Sequence, residues 1–272
     1  MKSALLLAAL LLAAVLAPWI SPQDPYDLAQ LQLADSRLPP LARSAAGAIR
    51  WLGTDDQGRD MLSAILYGLR TSLAVGLAST ALAFAIGVSL GLAAAWFGGW
   101  VDTLVMRLAD LQLSFPSILI AVVLLAVFGQ GLDKIVIALV AVQWAYYART
   151  ARAAALVERE KDYVEAAIAL AVPDSRILFR HLLPNCLPPL LVLAAVQVAT
   201  AITLEATLSF LGLGLPITQP SLGLLIANGF NYLLSGRYWI SFFPGLALLL
   251  AVVAVNLVAD RLRRVLDPRA RR

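Results

Sequence analysis

Among 272 residues there is one cysteine, one histidine and three methionines. A single Cys186 excludes an internal disulfide and any cysteine metal cluster within the chain. His181 stands alone, which excludes the usual protein-only metal centre and makes a hydrogen-bonded structural role the simpler reading. Charge is scarce: Asp, Glu, Lys and Arg make up 14% of the chain, where a soluble domain carries about 25%. No Gly-x-x-x-x-Gly-Lys-Ser/Thr string occurs, so energy has to come from another subunit or from an ion gradient. Apolar/polar alternation is nowhere sustained, which argues against a membrane β-barrel.

What is abundant is apolar surface. The chain is 61% hydrophobic with a mean hydropathy of +0.82, and no soluble core could hide that much, so lipid is its natural solvent. A spanning helix needs about 20 mostly apolar residues, and six segments qualify, 3–20, 72–97, 105–129, 135–153, 187–213 and 239–259. Backbone groups in hydrocarbon must pair within the segment, which leaves helices as the only choice. The third segment carries Arg107 and Asp110 in its first turns and is expected to begin at the interface. The pI near 9.5 does not point to nucleic acid, because the arginines flank apolar spans instead of forming a stripe with interleaved aromatics.

Placing both termini in the cytoplasm puts 14 lysines and arginines inside and 7 outside, the asymmetry expected of a membrane topology. Residues 21–70 then face outward and the loop after the fourth span faces inward. The first span could be a cleaved signal peptide, but no clean small-x-small site precedes a polar start, so it is expected to be retained. The chain divides into an N-terminal helix with an outer segment (1–70), a five-helix core (71–265) that holds the inner loop 154–186, and a basic tail (266–272).

The inner loop is too long and too patterned for an idle connector. Glu165, Ala166 and Ala167 open a run of helix formers to Val172, which Pro173 is expected to stop. Asp174 or Ser175 can cap a second short helix ending near Pro184-Asn185. Alanines permit close approach of another surface, and Ile168 and Leu170 offer apolar knobs; an amphipathic helix lying on the bilayer is the other reading. Residues 51–60, Trp-Leu-Gly-Thr-Asp-Asp-Gln-Gly-Arg-Asp, read as a turn punctuated by Gly53 and Gly58, with Thr54 or Asp55 as a cap. A calcium loop at Asp55, Asp56 and Asp60 lacks the EF-hand spacing. Glu205 falls inside the fifth span, where a carboxylate is either a lining or gating residue or is hydrogen-bonded to Thr203, Thr207 or Ser209. Gln197 and Ser209 are further polar candidates for a pathway. Gly87 and Gly91 form a small-xxx-small packing face.

Glu165-Ala166-Ala167, followed at the right distances by Ala171 and by His181-Leu182-Leu183-Pro184-Asn185, resembles the EAA loop of ABC-importer permeases. The family has glycine where this chain has Ala171. If the turn there requires positive φ, alanine costs on the order of 1 kcal/mol; Val172-Pro173 is the alternative site of the turn. Residues 53–60 resemble the Gly-Thr-Asp-x-x-Gly-Arg-Asp signature of the dipeptide/oligopeptide and nickel permeases (DppC/OppC-like). Leu204 to Gly214 resembles the same group, with Pro220-Ser221-Leu222-Gly223 in place of Pro-Ser-Trp-Gly.

This resemblance implies an all-α integral membrane protein, a six-helix polytopic bundle of the type I ABC-importer (MetI-like) kind. It implies a bacterial inner-membrane subunit with no chemistry and no cofactor of its own, ATP and Mg belonging to partner ATPases. The partners implied are a homologous second permease (DppB/OppB-like), two ATPase subunits on the inner loop, an extracytoplasmic solute-binding protein and membrane lipid. Glu165, Ala166, Ala167, Ala171 and Asp174, with Arg176 as a charged rim, are the residues implied for ATPase coupling; Gln197, Glu205 and Ser209 stay candidates for the pathway. Short peptides are the implied substrate, with nickel or another small polar solute as the competitor. Two other classes stand beside this one. A proton-coupled transporter would use Glu205, but inverted repeats are not visible; an intramembrane hydrolase would need a facing nucleophile and base.

Overall fold

A computed structural model describes residues 2–27, 29 and 31–266, so the tail expected at 266–272 lies almost wholly outside the described residues. In chain order the helices are α1 (Lys2–Ile20), α2 (Met61–Phe97), α3 (Gly99–Leu113), α4 (Ser117–Phe128), α5 (Leu132–Arg159) and α6 (Asp162–Ala169). They continue with α7 (Asp174–Phe210), α8 (Leu222–Phe230) and α9 (Trp239–Leu266). A two-stranded antiparallel ribbon, β1 (Ala42–Arg43) and β2 (Ile49–Arg50), lies in the segment between α1 and α2.

The expected six apolar spans are not all present as such. Among the described residues four helices are long and apolar enough to cross a membrane, α1, α2, α7 and α9, and a fifth crossing is available if α3 and α4 together count as one. That pair corrects the continuous span expected at 105–129, because α3 and α4 are bent by 92°. The break has a local cause. Pro116 has no N–H to donate and turns Phe115 away from helical geometry, while the Ser114 hydroxyl folds back to donate to the Asp110 carbonyl (2.7 Å). The span expected at 135–153 lies within α5, whose 28 residues reach far enough but whose Gln143, Arg149 and Arg152 make it too polar to count as an apolar crossing.

Helix ends depart from expectation where a side chain or a glycine decides them. α2 starts at Met61, about three turns before the expected span, because Asp60 caps it by accepting from the Ser63 amide (2.9 Å) and hydroxyl (2.8 Å). Neither Thr54 nor Asp55 serves that role. α2 stops at Gly98 and Gly99, both at positive φ (62° and 52°), which lets α3 turn away at once. α7 continues through Pro184 where a stop was expected. A wide turn over Ile177–Leu182, closed by the Leu183 amide donating to the Leu178 carbonyl, makes room for a ring that would clash in a regular helix.

The bundle is held by close contact of α2 with α5. A Cβ added at Gly87 would strike the Trp144 carbonyl and Tyr147, and one at Gly91 the Ala148 carbonyl and Ala151. The small-xxx-small face thus works within the chain. Thr80 donates to the Gln143 side-chain oxygen (3.2 Å) across the same contact. Arg152 and Arg149 pair with Asp102 and Asp110 of α3. Three larger apolar clusters among the described residues surround this axis: α1 with α2, α7 and α9 around Met61, Ile202 and Ile240; α5 with the start of α7 around Tyr147, Leu182 and Leu190; and α4 with α5 around Leu125, Ile135 and Leu139. Leu12, Leu82, Val123, Val127 and Leu249 remain exposed on outward faces, as a lipid-facing surface requires.

Gly91→Leu is expected to prevent the α2–α5 approach and to cost at least about 3 kcal/mol, the upper part of the overpacking range. Thermal unfolding of the detergent-solubilised protein reads this as a large drop in melting temperature, with Gly245→Leu, where an added Cβ meets nothing within 4 Å, as the control.

Candidate functional site

The loop after α5 is a short helix seated on two others. α6 occupies Asp162–Ala169, one turn earlier than the 165–172 expected from propensity, with Asp162 and Glu165 in its first turn where the helix dipole favours negative charge. Val164 and Ala167 face inward and pack with Ile177, Leu178 and Leu182 at the start of α7. Glu165, Ala166, Ile168 and Leu170 face outward, the last 79% exposed. Of the residues expected to couple to an ATPase, Glu165, Ala166, Ala171, Asp174 and Arg176 are therefore on the surface, and Ala167 is the seat.

Ala171 makes the turn. Its φ is 53°, the Val172 amide donates to the Ala167 carbonyl (3.1 Å) and the Ala171 amide to the Ile168 carbonyl (2.9 Å). This pair of bonds is a Schellman ending with alanine in the left-handed position that glycine usually fills. The alternative turn at Val172-Pro173 is not used, and Pro173 does not stop α6 but stands directly before α7. Asp174 and Ser175 make no side-chain cap there.

Sequence reasoning missed the residues that pin α6 in place. The Tyr163 hydroxyl donates to Glu158 (2.9 Å), the Asn185 amide nitrogen donates to the Tyr163 oxygen (3.1 Å) and the His181 carbonyl (2.8 Å), and Lys161 pairs with Glu158 (2.6 Å). Glu158, Tyr163 and Asn185 look like ordinary polar loop residues in the sequence; only the return of α7 beside α5 brings them together.

Glu205, fully buried on α7, accepts from Ser72 of α2 (2.7 Å) and from Ser209 one turn on (2.8 Å). Thr203 and Thr207, two of its three expected neighbours, bond instead to the carbonyls of Ala199 and Thr203. Ser72 could not be found by sequence, since it lies 133 residues away. Gln197 is buried two turns back, about 12 Å along the helix axis, so the structure joins Glu205 to Ser209 and leaves Gln197 apart. Over this cluster lies α8, nine residues long and therefore only about 14 Å, too short to cross a bilayer. Ser221 caps it by accepting from the Leu224 amide (3.2 Å), Gly223 sits directly against the Ala206 backbone, and Leu222, standing where the family has tryptophan, is fully buried.

The signature segment is a tight turn with buried charge. Gly53 and Gly58 take positive φ (78° and 79°) and pack against the carbonyls of Leu38 and Gln32. Asp55 accepts from the amides of Gln57 (2.9 Å) and Arg59 (2.8 Å) and faces the Arg59 guanidinium at 3.8 Å. Arg50 lies between Asp35 (3.7 Å) and Asp60 (3.8 Å). These carboxylates point at amides and arginines, not at a common centre. Burial pushes the Asp55 carboxyl up to about 6, against the pull of the Arg59 amide and charge.

Long apolar helices around a glycine-locked contact, with a short seated helix exposed between α5 and α7, define a polytopic α-helical membrane protein. The sequence profile described as the binding-protein-dependent transport system inner membrane component matches residues 87–272, and the chain belongs to that family. It is 40% identical to the di/tripeptide transport system permease protein DppC of Pseudomonas aeruginosa, covering 94% of this chain and 83% of that one. It is 36% identical to the glutathione transport system permease protein GsiD of Pectobacterium atrosepticum, covering 95% and 84%. An inward-facing structure of the MetNI methionine ABC transporter has a chain with the same fold, at a TM-score of 0.60 and 22% identity over 76% of this chain and 98% of that one. The protein is thus a non-catalytic permease subunit of a multi-subunit ABC importer in the bacterial inner membrane, with ATP hydrolysis in separate subunits. This membership displaces the proton-coupled transporter and the hydrolase.

Two outcomes are expected. Ala171→Gly removes the left-handed strain and stabilises the loop by about 1 kcal/mol, read as slower amide exchange across residues 162–172. Asp55 holds its proton more tightly folded than unfolded, so its contribution is complete below about pH 4 and is lost as pH rises through 6, in total about 3 kcal/mol. Asp55→Asn keeps an acceptor for both amides without titrating, so the melting temperature of the variant relative to the natural protein is expected to rise between about pH 4 and pH 6 and to level off above it.

Proposed function

We propose that this chain is one of two homologous permeases in an importer of short peptides, paired with a DppB/OppB-like subunit. Two ATPase subunits grip the α6 region, and an extracytoplasmic binding protein delivers the substrate. The observation that carries the coupling role is the seating of α6. One face is buried on α7, while Glu165, Ala166, Ile168 and Leu170 are offered outward with none of the described residues covering them. Such a helix transmits force because pushing it moves α7 through the Val164–Ile177–Leu182 contact, without a flexible link between.

In this reading α6 lies in the cytoplasm with both chain termini, the 21–60 segment lies outside, and α5 is the crossing that completes six. Its polar residues are tolerated because Gln143 faces α2 and its arginines pair with α3. Nucleotide binding draws the ATPases together, and α7 rocks against α2 between inward- and outward-open states. Glu165, Ala166, Ala171 and Asp174 form the contact, Arg176 its charged rim and Ala167 its seat; Glu205 and Ser209 gate the pathway and Gln197 lines it. The relatives named for di/tripeptide and glutathione transport support peptide over nickel.

In an assembled complex, Glu165→Ala is expected to lower binding-protein-stimulated ATP hydrolysis at least about tenfold, the loss of one charge-assisted contact. Unchanged stimulation and transport would remove the coupling role. A cysteine introduced at Ser175 is expected to resist impermeant thiol reagents added to intact cells; labelling from outside would reverse the topology.

A further inference from the structure

Arg59 is the least expected buried group in the molecule. Its side chain is 1% exposed, a cation with almost no access to water. Burying such a charge costs several kcal/mol unless it is well paired, and its nearest carboxylate oxygen, on Asp55, is 3.8 Å away. The guanidinium is directed elsewhere: one nitrogen donates to the Gln57 side-chain oxygen and to the Ile217 carbonyl (2.9 Å), 158 residues along the chain. Ile217 belongs to the loop between α7 and α8. This loop closes over Glu205: Gly214 sits against Ser209 so tightly that a Cβ would strike its hydroxyl, Leu215 is buried, and Ser221 is buried at the start of α8. On its other side the same signature segment is tied to α9, where the Trp239 indole donates to the Thr54 carbonyl (3.3 Å). The segment therefore reaches both ends of the 211–238 connection.

We propose that Arg59 is a positioning residue for transport, holding the 211–221 loop shut over Glu205 and its serine donors, and that release of the Ile217 carbonyl opens this end of the bundle. The choice of arginine follows from geometry. Nη2 serves Gln57 and Ile217 together while Nε, fixed in the same plane, faces Asp55, whereas the single ammonium of lysine can reach Ile217 but cannot hold both directions at once. The signature segment and the membrane glutamate, far apart in sequence, then form one gate. The transport role rests on the importer reading; the closure of the loop does not.

The test uses the purified permease complex with Cys186→Ala and a reporter, Leu215→Cys, exposed to a maleimide. Losing a buried bond to a charged group is expected to speed labelling in Arg59→Met by at least about tenfold, with Arg59→Lys between that and the natural protein. A second reporter, Ala64→Cys in the first turns of α2, is expected to label at its original slow rate. Unchanged labelling at position 215 would overturn the proposal, and so would equal acceleration at position 64, which would mean general loosening. In proteoliposomes Arg59→Met is expected to raise ATP hydrolysis without binding protein and to lose stimulation by it; unchanged values would overturn the gating role. Failure of the natural complex to take up peptide with ATP would instead defeat the importer reading, leaving the labelling result to stand.

Discussion

The approach of α2 to α5 at Gly87 and Gly91 is the constraint on which the other features depend. At this crossing the backbone of α2 touches the carbonyls of Trp144 and Ala148 with no side chain between. Lipid gives apolar side chains no reason to prefer each other over acyl chains, so dispersion at close range and polar pairs have to hold a membrane bundle. Once α2 and α5 are locked, α5 fixes where Arg149 and Arg152 meet α3 and where Glu158 receives Tyr163. α2 in turn fixes the height at which Ser72 meets Glu205.

Two of the polar clusters form stations at opposite ends of α7. At its N-terminal end α6 is seated by apolar contact and tied by Tyr163, Glu158 and Asn185. Near its C-terminal end Glu205 is held by serines from α2 and α7 and covered by a loop that a buried arginine fastens. One helix thus carries both stations; the wide turn at Ile177–Leu182 is itself part of the first station, and Pro188 and Pro189 follow it at the start of the main span. A displacement at α6 reaches the glutamate through a single continuous element, which is the economy of a subunit with no chemistry of its own.

Ala171 shows how local strain and function meet. The left-handed position is dictated by the Schellman bonds that end α6, and a residue with a Cβ occupies it at a cost. That cost is tolerable because Val172 drops into the apolar cluster under α6 and Pro173 cannot extend the helix, so the chain is constrained from both sides.

The sequence alone determined the class of the protein: apolar content, segment length and charge asymmetry are properties of composition and local order, and the motifs around Gly53, Glu165 and Leu204 carried the family. It also marked Gly87 and Gly91 as a packing face and Glu205 as a buried group in need of partners. Local signals misjudged the helix limits where a distant or competing contact intervened: Asp60 began α2 early, Pro116 broke α3 from α4, and Pro184 failed to end α7. The Ser209 partner of Glu205, one turn along the same helix, was legible in the sequence; only the tertiary structure decided that Ser72 joins it, that Ala167 is a seat and not a contact, and that Arg59 reaches Ile217. Those pairings join residues separated by tens to more than a hundred positions, and no periodicity within one segment can encode which side chain of another helix will lie at the same depth.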